Sequence, residues 1–97
     1  MIISFRNRGT EDIFYQVDSR AARNVCPPLV WPIAHRKLAA IDAAVSLDKL
    51  KLPYGNRLEL LKRDRAGQFA IRINDQYRVC FWWTDAGAED VEITDYH

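Results

Sequence analysis

The stretch Gln68-Phe69-Ala70-Ile71-Arg72-Ile73, then Asn74-Asp75-Gln76, then Tyr77-Arg78-Val79-Cys80-Phe81-Trp82-Trp83, decides the fold. Its apolar residues recur with a period of two, the period at which side chains alternate across a strand. Phe69, Ile71 and Ile73 fall on one side of the first run. In the second, Val79, Phe81 and Trp83 point one way and Arg78, Cys80 and Trp82 the other. The three residues between the runs have turn chemistry, so the stretch reads as an antiparallel hairpin with a core face and a more polar face.

Working outward, Arg57 to Lys62 and Asp90 to Asp95 are also strand-like, and Arg63-Asp64-Arg65-Ala66-Gly67 and Thr84-Asp85-Ala86-Gly87 supply the turns. The second half of the chain is thus expected to be a four-stranded antiparallel meander. Before it the period changes. Ile2-Ile3-Ser4-Phe5 reads as a short strand, and Thr10 is placed to cap a helix carrying Ile13, Phe14 and Val17, with Glu11 and Asp12 at its positive end. Arg20 to Pro28 reads as a connection ending in Pro27-Pro28. A second helix starts near Pro32, a residue tolerated in a first turn, with Ile33, Leu38, Ile41 and Val45 as its apolar stripe. Leu47 to Leu52 suggests a short helical turn, and Pro53-Tyr54-Gly55-Asn56 breaks the chain before the sheet. The fold class is α+β: an N-terminal strand, two helices, then the meander, with the helices packed on one sheet face.

Ninety-seven residues fit a single domain spanning 1–97, with enough apolar and aromatic side chains for one core. No run of eighteen apolar residues occurs, and the first residues have no signal-peptide pattern, which disfavours membrane insertion and secretion. Cys26 and Cys80 lack metal-site or CxxC spacing and read as buried thiols of a reducing compartment, placing the protein in the cytoplasm. The net charge of +1 conceals an asymmetry: all fourteen Lys and Arg lie at or before Arg78, against eight acids, while five acids follow it. Local patches, not net charge, decide whether a phosphate backbone binds.

The chain has no Gly-rich phosphate loop, HExxH, Cys/His metal spacing or nucleophile elbow. His35 lies inside the second helix and reads as structural. His97 follows Asp95 and Tyr96 at the end of a strand, where neighbouring carboxylates favour the imidazolium and suit it to donate a proton. On composition alone, a frayed end is the favoured reading of His97.

Read as a unit, the second half carries Asn56-Arg57-Leu58-Glu59, Leu61-Lys62, Asp64-Arg65-Ala66-Gly67-Gln68, Ile71 to Arg78, Cys80-Phe81, and Glu92 to Asp95-Tyr96-His97. With the opening Ile-x-Ser-Phe-Arg and the helical Arg-Lys-Leu-x-x-Ile-Asp-Ala-Ala, this resembles the HigB toxins, or plasmid-maintenance killer proteins, of the RelE/ParE superfamily, and among them the subgroup containing GraT. The resemblance implies a RelE-like fold and the toxin of a type II toxin-antitoxin system. It implies a metal-independent endoribonuclease, or mRNA interferase, that cuts mRNA on the ribosome and inhibits translation. No cofactor is implied. The implied partners are a HigA-like helix-turn-helix antitoxin, mRNA and the ribosome, with DNA reached only through the antitoxin complex and no membrane involved.

In that chemistry the RNA 2′-hydroxyl attacks the adjacent phosphate, so a proton must be taken, phosphorane charge stabilised and the leaving 5′-oxygen protonated. The resemblance implies Lys62 as a point charge on phosphate, Arg78 as a two-oxygen guanidinium fork, His97 as general acid, Tyr96 as a hydrogen-bonding or base-stacking group and Asp95 as a partner that orients or charges the imidazole. Where other HigB toxins carry a histidine in Leu-His-Pro-Leu-Lys, this chain has Glu59. That carboxylate is assigned as general base, a weak one whose charge opposes phosphate, which predicts a slow toxin. Arg57, Arg63, Arg65 and Arg72 are assigned to RNA backbone contacts, and Trp82 to stacking on a base, with strand packing as its other reading. Two alternatives stay open: a ParE-like gyrase inhibitor without nuclease activity, and a non-catalytic antitoxin-binding co-repressor, since a fold alone does not fix a function.

Overall fold

The two-residue period of 68–83 folds as expected in a computed structural model, which describes residues 1–95. Among these, α1 (Arg8–Phe14), α2 (Arg20–Val25) and α3 (Trp31–Ala43) precede β1 (Glu59–Leu60), β2 (Phe69–Arg72), β3 (Tyr77–Thr84) and β4 (Gly87–Asp95). The strands lie in the order β1-β2-β3-β4, each pair antiparallel, and the helices cover one face. No helix of the described residues is long and apolar enough to cross a membrane.

On the helix side, Ile71, Ile73, Tyr77, Val79, Phe81, Val91 and Ile93 pack against Ile13, Ala22, Ala34, Leu38 and Ile41 in one core. Helix α3 contributes Ala34, Leu38 and Ile41, spaced to fall on one face. Val45, expected in this stripe, lies beyond the helix, which closes at Ala44, and is 86% exposed.

The N-terminal half departs from expectation at α1 and in the connection that follows it. Asn7, not Thr10, caps α1: its Oδ1 accepts from Thr10 N at 2.8 Å. Thr10 is instead turned inward and buried, and its Oγ1 accepts from Ile93 N at 3.0 Å, tying α1 to β4. The connection from Arg20 contains helix α2, capped by Ser19, whose Oγ accepts from Ala22 N at 3.0 Å and donates to Asp12 Oδ2 at 2.6 Å. α1 and α2 cross at Gly9, where an added Cβ would stand 2.2 Å from Val25 Cγ2 and 2.4 Å from Ala21 O; only glycine permits that approach.

The opening residues run beside β4 as isolated parallel bridges, Ile2 to Ala88 and Phe5 to Val91, and form no continuous ladder. At the opposite edge β1 is only two residues long. It is preceded by Asn56, whose buried Nδ2 donates to Leu50 O and Leu52 O at 3.2 Å, and by Arg57 in the left-handed region at φ +47°, a conformation no strand accepts.

Candidate functional site

The strand register assigns the sheet's outer face row by row. Glu59, Ala70, Cys80 and Glu92 stand opposite one another in β1 to β4, and Arg72, Arg78 and Thr94 form the next row. Strands stand ~4.8 Å apart and same-face residues ~6.8 Å apart along a strand. Arg78 is therefore about one row from Cys80, and Glu59 is two strands across.

Arg78 is half-buried, and its Nη1 donates to Asn74 O at 2.6 Å and Tyr77 O at 3.2 Å. The turn supplying these carbonyls is shaped by Asn74, whose Oδ1 accepts from Gln76 N and Tyr77 N at 2.9 and 2.8 Å. The guanidinium is thus held at the end of β3 by the backbone. Arg72, opposite it, pairs with Asp75.

Lys62 and Arg63 are exposed on the segment after β1, in a one-turn 3-10 helix (Arg63–Arg65) that begins with Arg63 at φ +59°. With Glu59, Leu60 and Leu61 they line a shallow groove of ≈ 370 Å³. A larger cleft of ≈ 460 Å³ opens at the far end of β3, lined by Asp42 and Asp85 and by no Lys or Arg side chain. The smaller groove, beside Lys62, is the better match to an anionic ligand.

Arg57 is exposed beside this edge. Arg65 is drawn inward: its Nη1 donates to Glu92 Oε1 at 2.7 Å and to Gln68 Oε1 at 3.3 Å, and Arg6 Nε stands 3.8 Å from the same carboxylate oxygen. Trp82 is 38% exposed and covers Gly67, where an added Cβ would meet its ring at 2.6 Å. Asp95 pairs with Tyr77, which faces the helices, so the register sets it on the side opposite Arg78; its Oδ2 accepts from Gln76 Nε2 at 3.0 Å. The assignments to Tyr96 and His97 lie outside the described residues.

The structure therefore brings Glu59, Lys62 and Arg63 to one groove and sets Arg78 on the same sheet face, near the start of β3. Sequence reasoning overlooked Gln68, Asn74 and Glu92. The alternation of β4 marks Glu92 as outward-facing, but only the register brings it to Arg65, 27 residues earlier. Buried Cys80 lies within the influence of Arg65, Glu92 and Arg78, and burial is the main cause that pushes its thiol pKa up. His35 packs near Phe14, with ring centroids 6.4 Å apart, in keeping with a structural part.

A four-stranded antiparallel sheet with helices on one face and cationic side chains on and beside the opposite face defines an α+β domain. A protein-family profile described as "RelE-like toxin of type II toxin-antitoxin system HigB" matches residues 3–97. Toxin HigB-1 of Vibrio cholerae serotype O1 is 36% identical over 88 residues, covering 91% of this chain and 90% of the relative. An uncharacterized protein of Haemophilus influenzae is 32% identical over 68 residues, covering 70% of this chain and 65% of its own length. The chain belongs to the HigB-like family of RelE-like toxins. It is accordingly a toxin of the type II toxin-antitoxin class, for which an antitoxin is the implied partner.

Proposed function

We propose that this toxin is a metal-independent endoribonuclease that cuts mRNA on the ribosome, with an RNA strand lying across the outer face of the sheet. The observation that carries the reading is the position of Arg78: a half-buried residue on the outer face near the start of β3, its guanidinium fixed by two backbone carbonyls, one strand from β4 and two from Glu59. A cation held by the backbone before substrate arrives loses little freedom on binding phosphate, which is what stabilising developing charge requires.

In this mechanism Arg78 receives the phosphate's non-bridging oxygens, and Lys62, on its exposed segment, adds a second positive charge as the phosphorane forms. Glu59 takes the 2′-hydroxyl proton as a weak base. His97 protonates the leaving 5′-oxygen, Tyr96 stacks on or bonds to a base, and Asp95 supplies negative charge at the end of β4 that favours the imidazolium. Arg57, Arg63 and Arg72 contact RNA backbone, the ribosome presents the message, and a HigA-like antitoxin restrains the toxin in a cytoplasmic complex. Proton transfer and fixed charge suffice for the cyclising step. The weak base sets a slow rate.

The test is 5′-end mapping of transcripts after brief induction, comparing the parent with a chain lacking His97. Cuts inside translated frames that vanish in the shortened chain are expected. Cuts that persist unchanged overturn the general-acid assignment, and an intact message pool with blocked DNA supercoiling favours the gyrase reading.

A further inference from the structure

Ala70 and Cys80 belong to the outer face, yet both are fully buried, and with Leu61 they form a small apolar cluster separate from the main core. What covers them is the segment between β1 and β2, folded back over the sheet. Its ends are closed by main-chain bonds, Leu61 N to Gln68 O at 2.8 Å and Gln68 N to Arg65 O at 3.0 Å. Between these points run Lys62, Arg63, Asp64, Arg65, Ala66 and Gly67, which offer almost nothing apolar to anchor the flap. Among the described residues, Trp82 and the Arg65 side chain do so instead. Trp82 lies over Gly67, whose φ of +95° and missing side chain allow the ring to come down. Arg65 reaches Glu92 and Gln68.

We infer that Glu92 is a positioning residue for Lys62, acting through Arg65; this rests on the nuclease reading above. The Glu92 side chain is 13% exposed and that of Arg65 31%, so the pair is shielded from much of the solvent that weakens surface ion pairs. The pair joins the flap to β4, the strand that leads into Asp95. It thereby holds Lys62, three residues before Arg65, in a set position over the outer face that carries Arg78. The charge of Arg65 is answered by Glu92, so Arg65 serves as the latch of the flap, and phosphate recognition falls to Lys62, Arg63 and Arg78. Arg6 Nε stands farther off, 3.8 Å from the same Glu92 oxygen that Arg65 reaches at 2.7 Å.

The experiment uses purified full-length toxin, programmed ribosomes as substrate, and the variants Glu92→Gln, Glu92→Ala, Arg65→Ala and the Arg65→Ala/Glu92→Ala double. Glu92→Gln is expected to lower kcat on the order of tenfold with KM little changed, because displacing a charge by about 1 Å costs transition-state stabilisation more than binding. Trypsin should nick the variant after Lys62 or Arg63 several-fold faster than the parent, while antitoxin binding and melting temperature stay close to the parent's. The double variant should be no worse than either alanine single, since both open one latch. Unchanged kcat and unchanged nicking in Glu92→Gln overturn the proposal. So does an additive double variant, or an activity loss that tracks a matching loss of folding and antitoxin binding. A parent that cuts no RNA sinks the nuclease reading itself, whereas a fully active Glu92→Gln sinks only the latch.

Discussion

The two faces of this sheet are made from the same strands and held by different physics. Toward the helices, Ile71, Val79, Phe81, Val91 and Ile93 are buried by a layer of apolar side chains. Away from them, the same alternation yields Ala70 and Cys80 beneath a charged flap, flanked by Glu92, Arg72 and Arg78. The first face draws its stability from apolar area removed from water, which is nearly indifferent to single charges. The second is thin, polar and dependent on particular pairings. A site placed there can be altered with little effect on the fold, and the fold can be damaged with no contact to the site.

The largest separation of the two should come from Phe81→Ala. Phe81 is fully buried on the helix side, and its loss should cost about 3–5 kcal/mol and lower the melting temperature by roughly 20 °C. Differential scanning calorimetry checks it; a shift of a few degrees means that face is less well packed than described. Arg78→Ala is the converse. Ribosome-dependent cleavage should fall on the order of 10²–10³-fold, while melting moves only a few degrees. Arg78→Lys, which keeps the charge and loses the fork, should recover little of that activity.

Thr10→Val probes the seam between α1 and the sheet. The substitution keeps the shape and leaves Ile93 N–H buried without its acceptor, a cost of about 1–3 kcal/mol. A lower denaturation midpoint with faster exchange at the Ile93 amide is the expected pair of readings. The smallest effect concerns acid. Ser19 and Arg8 donate to Asp12 and hold its carboxyl below the usual range, the Ser19 bond being the larger cause. A lowered folded value means that the unfolded chain takes up the proton first as pH falls. The stability Asp12 gives to the α1–α2 layer is therefore present above pH ~4 and is lost as pH drops through the folded value. Asp12→Asn should flatten the acid limb of the stability curve below about pH 4, and an unchanged limb removes Asp12 from acid unfolding.

The helix-side face was legible in the sequence because alternation is a local property: Phe69 to Ile73 and Val79 to Trp83 state their faces within a few residues. Helix α2 was not legible. It is six residues long, buries only Ala22 and ends beside Pro27-Pro28, so it carries no stripe and is submerged in a connection; Ser19 as its cap was the one readable signal. Thr10 was misassigned because a threonine near a helix start can cap it or turn inward, and the choice belongs to Ile93, 83 residues later. For the site, the resemblance to HigB toxins singled out Lys62, Arg78 and Glu59, which the fold sets on or beside the outer face. The Arg65–Glu92 pairing and the Asn74 turn beneath Arg78 depend on register, and a single strand's pattern does not encode which strand stands opposite.

The opening residues, bridged to β4 at Ile2 and Phe5, also bear on how copies of this chain meet at high concentration. An unprotected strand edge is a template on which a like molecule can add its own backbone, the first step toward fibres. Here one border of the sheet is screened by residues 2–5, and the other offers a strand of two residues, beside a segment rich in Lys and Arg. Neither gives a neighbouring copy a long ladder to extend, so this sheet offers a like molecule little template from which aggregation could start.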